Sequence, residues 1–411
     1  MFKKVFGFCV VLLLLASCSS IVTEDPTQES VRRGEISFKI SPESAIEIAR
    51  EVIEGCGVRT KSQRTLKSIE LLKDAKTRSG ISYIPDSALY LVNFADEGGY
   101  ALISADIRMH VPFYAFSDVG NLSLNDTSEN KALALTMNTI YADINNNWVV
   151  DSVNWGNPTP GLQPIFPSDK EIKLLSEVSP LTHKNVRRWG QGTPFNSYCY
   201  TPSGEKAWAG CSSVSIAIVL SCFEWPLSYK GESFNWKQMK ESDKGNHAVY
   251  KLIKFIGDPD NINVDYQDYA GNTGSGGSIT KNASRTFKNF GYDDCEKFET
   301  YNMAKAKSVL SSKRPIIMMG GYKKSNEEYY HAWVIDGCRN YIEKASSVLD
   351  QPKTYTYMHC VWGWNGKNDG YFYNFEPTPV EKDDDDDKEN STAVRNFDVD
   401  LRMLWKFVPI K

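Results

Sequence analysis

The segment WAGCSSVSIAIVLSC, residues Trp208 to Cys222, governs the reading of the chain. From Ser212 to Cys222 it holds small and apolar residues with neither Gly nor Pro, the composition of a helix buried in a core. Gly210 directly precedes Cys211, where it lets the backbone approach closely, and Cys211 opens the helix. The partial positive charge at a helix N-terminus favours a thiolate over a thiol, and the thiolate is the reactive form. Taken alone, the segment fits a buried structural cysteine equally well.

Three other stretches bear on the choice. In YYHAWVIDG, Tyr329 to Gly337, His331 starts an apolar strand among aromatic neighbours that would keep water from a Cys–His pair. A histidine beside an apolar strand is also a common core or edge residue. In VWGWNG, Val361 to Gly366, followed by DGYF from Asp369, the paired tryptophans fit either core packing or an aromatic lid. In WGQGTPFN, Trp189 to Asn196, the Gln191 side-chain N–H is able to join the nucleophile's backbone N–H in an oxyanion hole, or simply to bond at the surface.

The surrounding pattern predicts an α+β chain. Ser41-Pro42-Glu43 is a helix start, and Ala45, Ile48, Ala49, Val52 and Ile53 recur at helical spacing. Ala88 to Phe94 and Tyr100 to Ile103 form a hairpin around Asp96–Gly99. The stretch with Pro158, Pro160, Pro164 and Pro167 breaks regular structure and is expected to be an exposed linker. Tyr269 to Ser278 is a Gly/Ser loop, Ala283 to Phe290 a helix, and Pro315–Met319, Ala332–Ile335 and Tyr355–Trp362 are strands. No internal repeat occurs.

Gln191, Cys211, His331 and Trp362, in that order, together resemble the streptopain-type cysteine peptidases, a branch of the papain-like enzymes. The matching pieces run from Ser179-Pro-Leu181 and Trp189-Gly-Gln191 through Gly210-Cys211, Phe234-Asn-Trp236, Phe287 to Tyr292, Arg314-Pro315, His331-Ala332 and Ile335-Asp-Gly337 to Trp362-Gly-Trp364 and Asp369-Gly370. Upstream, Tyr90 to Phe94 and Gly99 to Asp106 are similar to the family's propeptide hairpin. The resemblance implies a small α+β propeptide domain (helices plus an antiparallel hairpin sheet) followed by a papain-like domain with a helical half and an antiparallel sheet half. It implies Cys211 as nucleophile, His331 as general base and acid, Gln191 as oxyanion donor and Trp362 as the ring shielding the histidine. It also implies a substrate cleft at Gly210 and at Gly274, Ser275, Gly276, Gly277 and Ser278. The expected activity is an endopeptidase made as a zymogen, with protein or peptide substrates, its own propeptide as inhibitor and no cofactor or metal. Two departures stand out. Val361 occupies the place of the family's Asn, and Asn365 that of a Gly. Without that Asn, the imidazole would depend on packing by Trp362 or on a backbone acceptor. His359, two residues before Val361, is the rival base. The competing functions are a surface-binding lipoprotein that has lost activity and a Cys–His amidase acting on cell-wall peptides.

The leader has its own signal. Lys3 and Lys4 precede an apolar run, Val5 to Ala16, which is too short to span a membrane comfortably and ends in Leu15-Ala16-Ser17-Cys18. That ending resembles a bacterial lipobox, with Cys18 as the lipidated residue and a cell-envelope location as the consequence. The expected domains are a signal peptide (1–18), a tether (19–35), a propeptide domain (36–150), a linker (151–178) and a peptidase domain (179–411). The net charge of -4 gives no reason to expect nucleic acid. No CxxC pair occurs, which argues against structural zinc. The five acids Asp383 to Asp387 read as a solvated loop.

Overall fold

A computed structural model describes residues 39–55, 64–72, 88–124, 172–269, 272–276, 279–293, 297–324, 327–343, 351–373 and 401–410, with Cys295 and parts of 133–144. The signal peptide, Cys18, the tether, the proline-bearing stretch to residue 171 and the acidic run lie outside the described residues.

The N-terminal region opens with helix α1, Pro42–Glu54. The Ser41 hydroxyl accepts from the Ser44 N–H at 3.2 Å, so a capping side chain and Pro42 start the helix as its sequence predicts. Its apolar face, Ala45, Ile48, Ala49, Val52 and Ile53, is buried. Strands β1 (Leu66–Leu72), β2 (Leu89–Phe94), β3 (Tyr100–Ser104) and β4 (Phe113–Ser117) follow, each antiparallel to the next. Asp96 and Glu97, both with positive φ, make the β2–β3 turn.

Strand β5 is Ile172–Val178. It lies at the end of the expected linker, residues 151–178, and is hydrogen-bonded to the peptidase sheet. Helix α2, Cys211–Phe223, is buried from Ser212 to Ser221, as an all-round apolar helix must be. Helix α3 is His247–Gly257. The expected Gly/Ser loop is a hairpin of β6 (Asp265–Tyr269) and β7 (Asn272–Gly276). Then come α4 (Ile279–Asn289), β8 (Glu299–Thr300), α5 (Met303–Ser311), β9 (Ile316–Lys324), β10 (Glu327–Glu343), β11 (Lys353–Val361), β12 (Gly370–Tyr373) and β13 (Arg402–Leu404).

Apart from the separate β6–β7 hairpin, these strands form one antiparallel sheet in the order β1-β2-β3-β4-β12-β11-β10-β9-β13-β8, with β5 also on β10. The central strands alternate strictly. Ile317, Met319, Ala332, Val334 and Val361 face the helical core of α2, α3 and α4. Ile316, Met318, Trp333, Ile335, Cys360 and Trp362 belong to the cluster that includes Ala306, Val309 and Leu310 of α5. The N-terminal region joins this sheet through β4 on β12, with Tyr371 opposite Phe116 and Phe372 opposite Ala115. Phe113 stacks on Tyr357 at 4.8 Å and Phe116 on Tyr371 at 5.0 Å, so residues 38–411 pack as one compact unit. Among the described residues, no helix is long and apolar enough to cross a membrane.

A bulge interrupts the β10–β11 ladder between Ile335 and Gly337. The extra residue, Asp336, is thereby turned out of the regular pairing. Gly337 is required beside it, because a Cβ there would lie 2.8 Å from the Val178 carbonyl oxygen of β5.

Candidate active site

Cys211 is the first residue of α2, and its placement depends on Gly210. That residue has φ 90° and ψ 131°, a conformation from which side chains are excluded. The turn points the new helix's N-terminus, with its unpaired N–H groups, at the sulfur's own end of the helix. Among the free cysteines Cys211 and Cys222 are half-buried, while Cys199, Cys295, Cys338 and Cys360 are buried.

Burial pushes the Cys211 thiol up. The charge and hydrogen bond of His331, the Ala332 backbone and the Ser212 side chain outweigh it, and the thiol is lowered to about 7. Cys222 has no such imidazole, and burial pushes it up to about 12. The two cysteines sit at opposite ends of one helix, and only the N-terminal one is electrostatically activated.

His331 lies on β10, opposite Gly320 of β9, and is 5% exposed. Its Nε2 is 3.2 Å from the Trp362 carbonyl oxygen. An Nε2–H donated to that oxygen leaves Nδ1 for the thiol. The near-parallel ring beside the imidazole is that of Trp364, with centroids 6.3 Å apart and planes at 15°. This corrects the expectation that the Trp362 ring shields the histidine. The Trp362 indole packs on Trp333 and Phe372 and donates to the Asn368 carbonyl at 2.8 Å, reaching His331 through its main chain only.

Gln191 is 6% exposed. Its carbonyl accepts from the Ala209 N–H at 2.9 Å, two residues before Cys211. Gly190 pairs with Trp364, and Trp208 meets Trp364 edge-on at 5.2 Å. The loop carrying Gln191 is therefore held between the segment entering Cys211 and the segment beside His331. Asn365, the second departure, sits against Gly190, where a Cβ would collide with the Asn365 side-chain oxygen.

His359 is not placed as a base for Cys211. Its Nδ1 is 2.6 Å from Asp336 Oδ1, while Asp336 Oδ2 accepts the Thr182 N–H at 2.9 Å. Burial raises the Asp336 carboxyl, but the charge and hydrogen bond of His359 overcome that and hold it below its ordinary value. This pair ties residues 181–182 to the bulged strand. The β6–β7 hairpin places the backbones of Gly274, Ser275 and Gly276, whereas Gly277 and Ser278 lie outside the described residues. Tyr266 of that hairpin donates to Cys199 Sγ at 3.5 Å. Two further groups have a place at the site that their sequence positions do not reveal. Trp364 was visible only as the motif's second tryptophan. Asp369, whose Oδ1 accepts the Trp362 N–H at 3.0 Å, was visible only as part of a Gly turn. Among the described residues, no cluster of His, Cys, Asp or Glu is arranged to hold a metal ion.

Residues 189–372 match the Peptidase C10 family. The chain is 24% identical over 328 residues to the thiol protease/hemagglutinin PrtT of Porphyromonas gingivalis, covering 70% of this chain and 34% of that protein, so it spans about a third of PrtT. It is 24% identical over 359 residues to streptopain of Streptococcus pyogenes, covering 74% of this chain and 78% of that one. A solved fragment of Prevotella intermedia prointerpain A aligns over 82% of this chain and 97% of its own, with 22% identity and a TM-score of 0.48. Over residues 189–372, the segment that carries Gln191, Cys211, His331 and Trp362, the chain is thus similar to Peptidase C10 cysteine peptidases of the streptopain type.

Proposed function

We propose that the chain is a secreted endopeptidase made as a zymogen, in which Cys211 is the nucleophile and His331 the general base and acid. The observation that carries this is the Cys211 thiol, lowered to about 7 at a helix N-terminus by an imidazole whose other nitrogen is occupied. The thiolate attacks a peptide carbonyl carbon, forming the C–S bond as the carbonyl becomes an oxyanion. The backbone N–H of Cys211 and the Gln191 side-chain amide stabilise that charge. His331 passes its proton to the leaving amine, and the C–N bond breaks to leave an acyl-enzyme. His331 then takes a proton from water, which attacks the thioester carbonyl, and the released thiolate recovers the starting state.

The N-terminal region, paired with β12 and seated by aromatic stacks on Tyr357 of β11 and Tyr371 of β12, is the inhibitory propeptide. Export follows from the leader, with lipidation at Cys18 as the membrane tether and the cell envelope as the location. The hairpin carrying Gly274 to Gly276 lines the substrate cleft together with Gly210. The reading is tested by comparing the full chain with Cys211→Ala on casein, while following loss of the N-terminal region. The variant should hydrolyse nothing and remain unprocessed. Undiminished casein hydrolysis by the variant would refute the assignment. Export and lipidation are tested separately, by mass measurement of the mature N-terminus in wild type and Cys18→Ala.

A further inference from the structure

Asp369 is buried, 7% exposed, at the end of the turn after Trp364. Its Oδ1 accepts the Trp362 N–H at 3.0 Å, and its Oδ2 is buried without a protein partner. The nearest cations are engaged elsewhere. Arg187 Nε donates to the Thr182 carbonyl at 3.1 Å, and Arg188 pairs with Glu97 at 2.9 Å. A carboxyl taken out of water at considerable cost is thus spent on one peptide N–H. The neighbouring Asn368 carbonyl accepts the Trp362 indole N–H at 2.8 Å. The 368–369 corner therefore holds both the main chain and the side chain of Trp362, and the Trp362 carbonyl holds His331.

We infer that Asp369 is a positioning residue for His331, fixing the Trp362 backbone so that its carbonyl orients the imidazole in place of a side-chain amide. The inference rests on the Cys211–His331 reading above. Asp369 acts through Trp362 and touches neither the thiol nor the imidazole. Asn368 closes the turn at this corner with φ 62°. The N-terminal region grips the same corner. The Tyr100 hydroxyl lies 3.2 Å from the carbonyls of both Asn368 and Asp369, and the Ser123 N–H donates to Asn368 Oδ1 at 2.9 Å. The titratable and charged groups around the Asp369 carboxyl are Arg187 and Arg188, Asp336 of β10, His359 and Cys360 of β11, and Tyr100 of β3.

The test uses the full chain carrying Asp369→Leu, Asp369→Ala or Asp369→Asn. Leu keeps the shape without the acceptor, and Asn keeps a neutral acceptor. Two quantities are read: the pH midpoint of Cys211 alkylation by iodoacetamide, and kcat and KM on a peptide substrate. The Leu and Ala variants should lose about ten- to a hundred-fold in kcat with KM changed less than about three-fold, the scale of a misplaced catalytic group. Their alkylation midpoint should rise, because a misoriented imidazole stabilises the thiolate less. Asn should restore both. A wild-type midpoint and kcat in folded Leu or Ala variants would overturn the inference, as would an Asn variant as impaired as they are. If neither Leu nor Ala folds, the Asn variant alone decides: activity near wild type supports the acceptor role, and collapse of kcat refutes it. Failure of the parent reading looks different, since Cys211→Ala would then remain active whatever happens at Asp369.

Discussion

His331 Nε2 lies 3.2 Å from the main-chain carbonyl oxygen of Trp362, so a backbone acceptor occupies the place where a side-chain amide would otherwise orient the imidazole. The geometry explains how the site accommodates Val361. That residue is fully buried, pairs with Val334, and belongs to the core under the helical half. Of the two supports open to the histidine in the absence of the Asn, the tertiary structure supplies the backbone one, and the packing ring comes from Trp364.

Val361→Asn should therefore damage the protein and leave the chemistry unimproved. The new amide would enter an apolar cluster while His331 already has its acceptor. A loss of about 1–3 kcal/mol in unfolding free energy is expected, the usual cost of an unpaired buried amide. Urea unfolding and kcat measured together check it. A gain in kcat with unchanged stability would show that the side chain turns toward His331 instead.

Thiol chemistry should separate the two ends of α2. With Cys211 lowered to about 7, its alkylation should be half-maximal near neutral pH and rise as pH rises through that value. Cys222, pushed up to about 12, should stay unreactive across the same range. His331→Ala removes the main opposition to burial, so the Cys211 midpoint should move up and its rate at pH 7 fall about tenfold or more. Peptide mapping after timed iodoacetamide exposure reads both cysteines in one sample. Equal rates at Cys211 and Cys222 would count against any activated thiol.

Gly210→Ala should be costly although it adds a single methyl group. At φ 90° and ψ 131° a side chain is strained whatever room surrounds it, by about 1–3 kcal/mol. If the turn relaxes, the start of α2 moves and Cys211 leaves the reach of His331. The expected outcome is a lower unfolding midpoint together with slower alkylation of Cys211 at pH 7. Wild-type values of both would mean that the turn tolerates a side chain.

The Asp369 carboxyl should leave a signature in stability against pH. Burial pushes it up to about 8, against the Trp362 hydrogen bond and the charges of Arg187 and Arg188. The folded chain then keeps a proton that the unfolded chain gives up near 4. The unfolded state binds fewer protons between these values, so this group lowers stability as pH rises from about 4 to 8, and no further above that. Asp369→Asn lacks the titration. It should match wild type near pH 4–5 and exceed it at pH 8 by more than about 1 kcal/mol. Chemical unfolding at the two pH values decides, and an equal difference at both would place the carboxyl's proton elsewhere.

Local pattern carried much of the fold. Pro42 and the apolar spacing behind it mark α1, Asp96–Gly99 marks a hairpin, and the small apolar run after Cys211 marks a buried helix, because each signal depends on neighbours a few residues apart. The sequence reading stopped β10 short. The expected strand Ala332–Ile335 is the middle of a longer one, because a bulge at Asp336 lets it continue to Glu343. Residues 172–178, expected as the end of the linker, are mostly exposed, and only their pairing with β10 makes them a strand.

The sequence by itself determined which residue types meet the demands of thiol acyl-transfer chemistry: a Cys at a helix start, one His on an apolar strand, a Gln in a Gly loop and a Trp pair. Their spacing along the chain carries that much, because caps, periods and turns are local. Only the tertiary structure decided between His331 and His359, by giving His359 to the buried Asp336. It alone assigned the flanking ring to Trp364, and it alone supplied the Trp362 carbonyl as the acceptor for the imidazole. Every residue carries a carbonyl, so nothing in its letter distinguishes that one. Its direction is set by a corner at Asn368 and Asp369 that the N-terminal region also holds, through contacts with Tyr100 and Ser123 more than two hundred residues away in sequence.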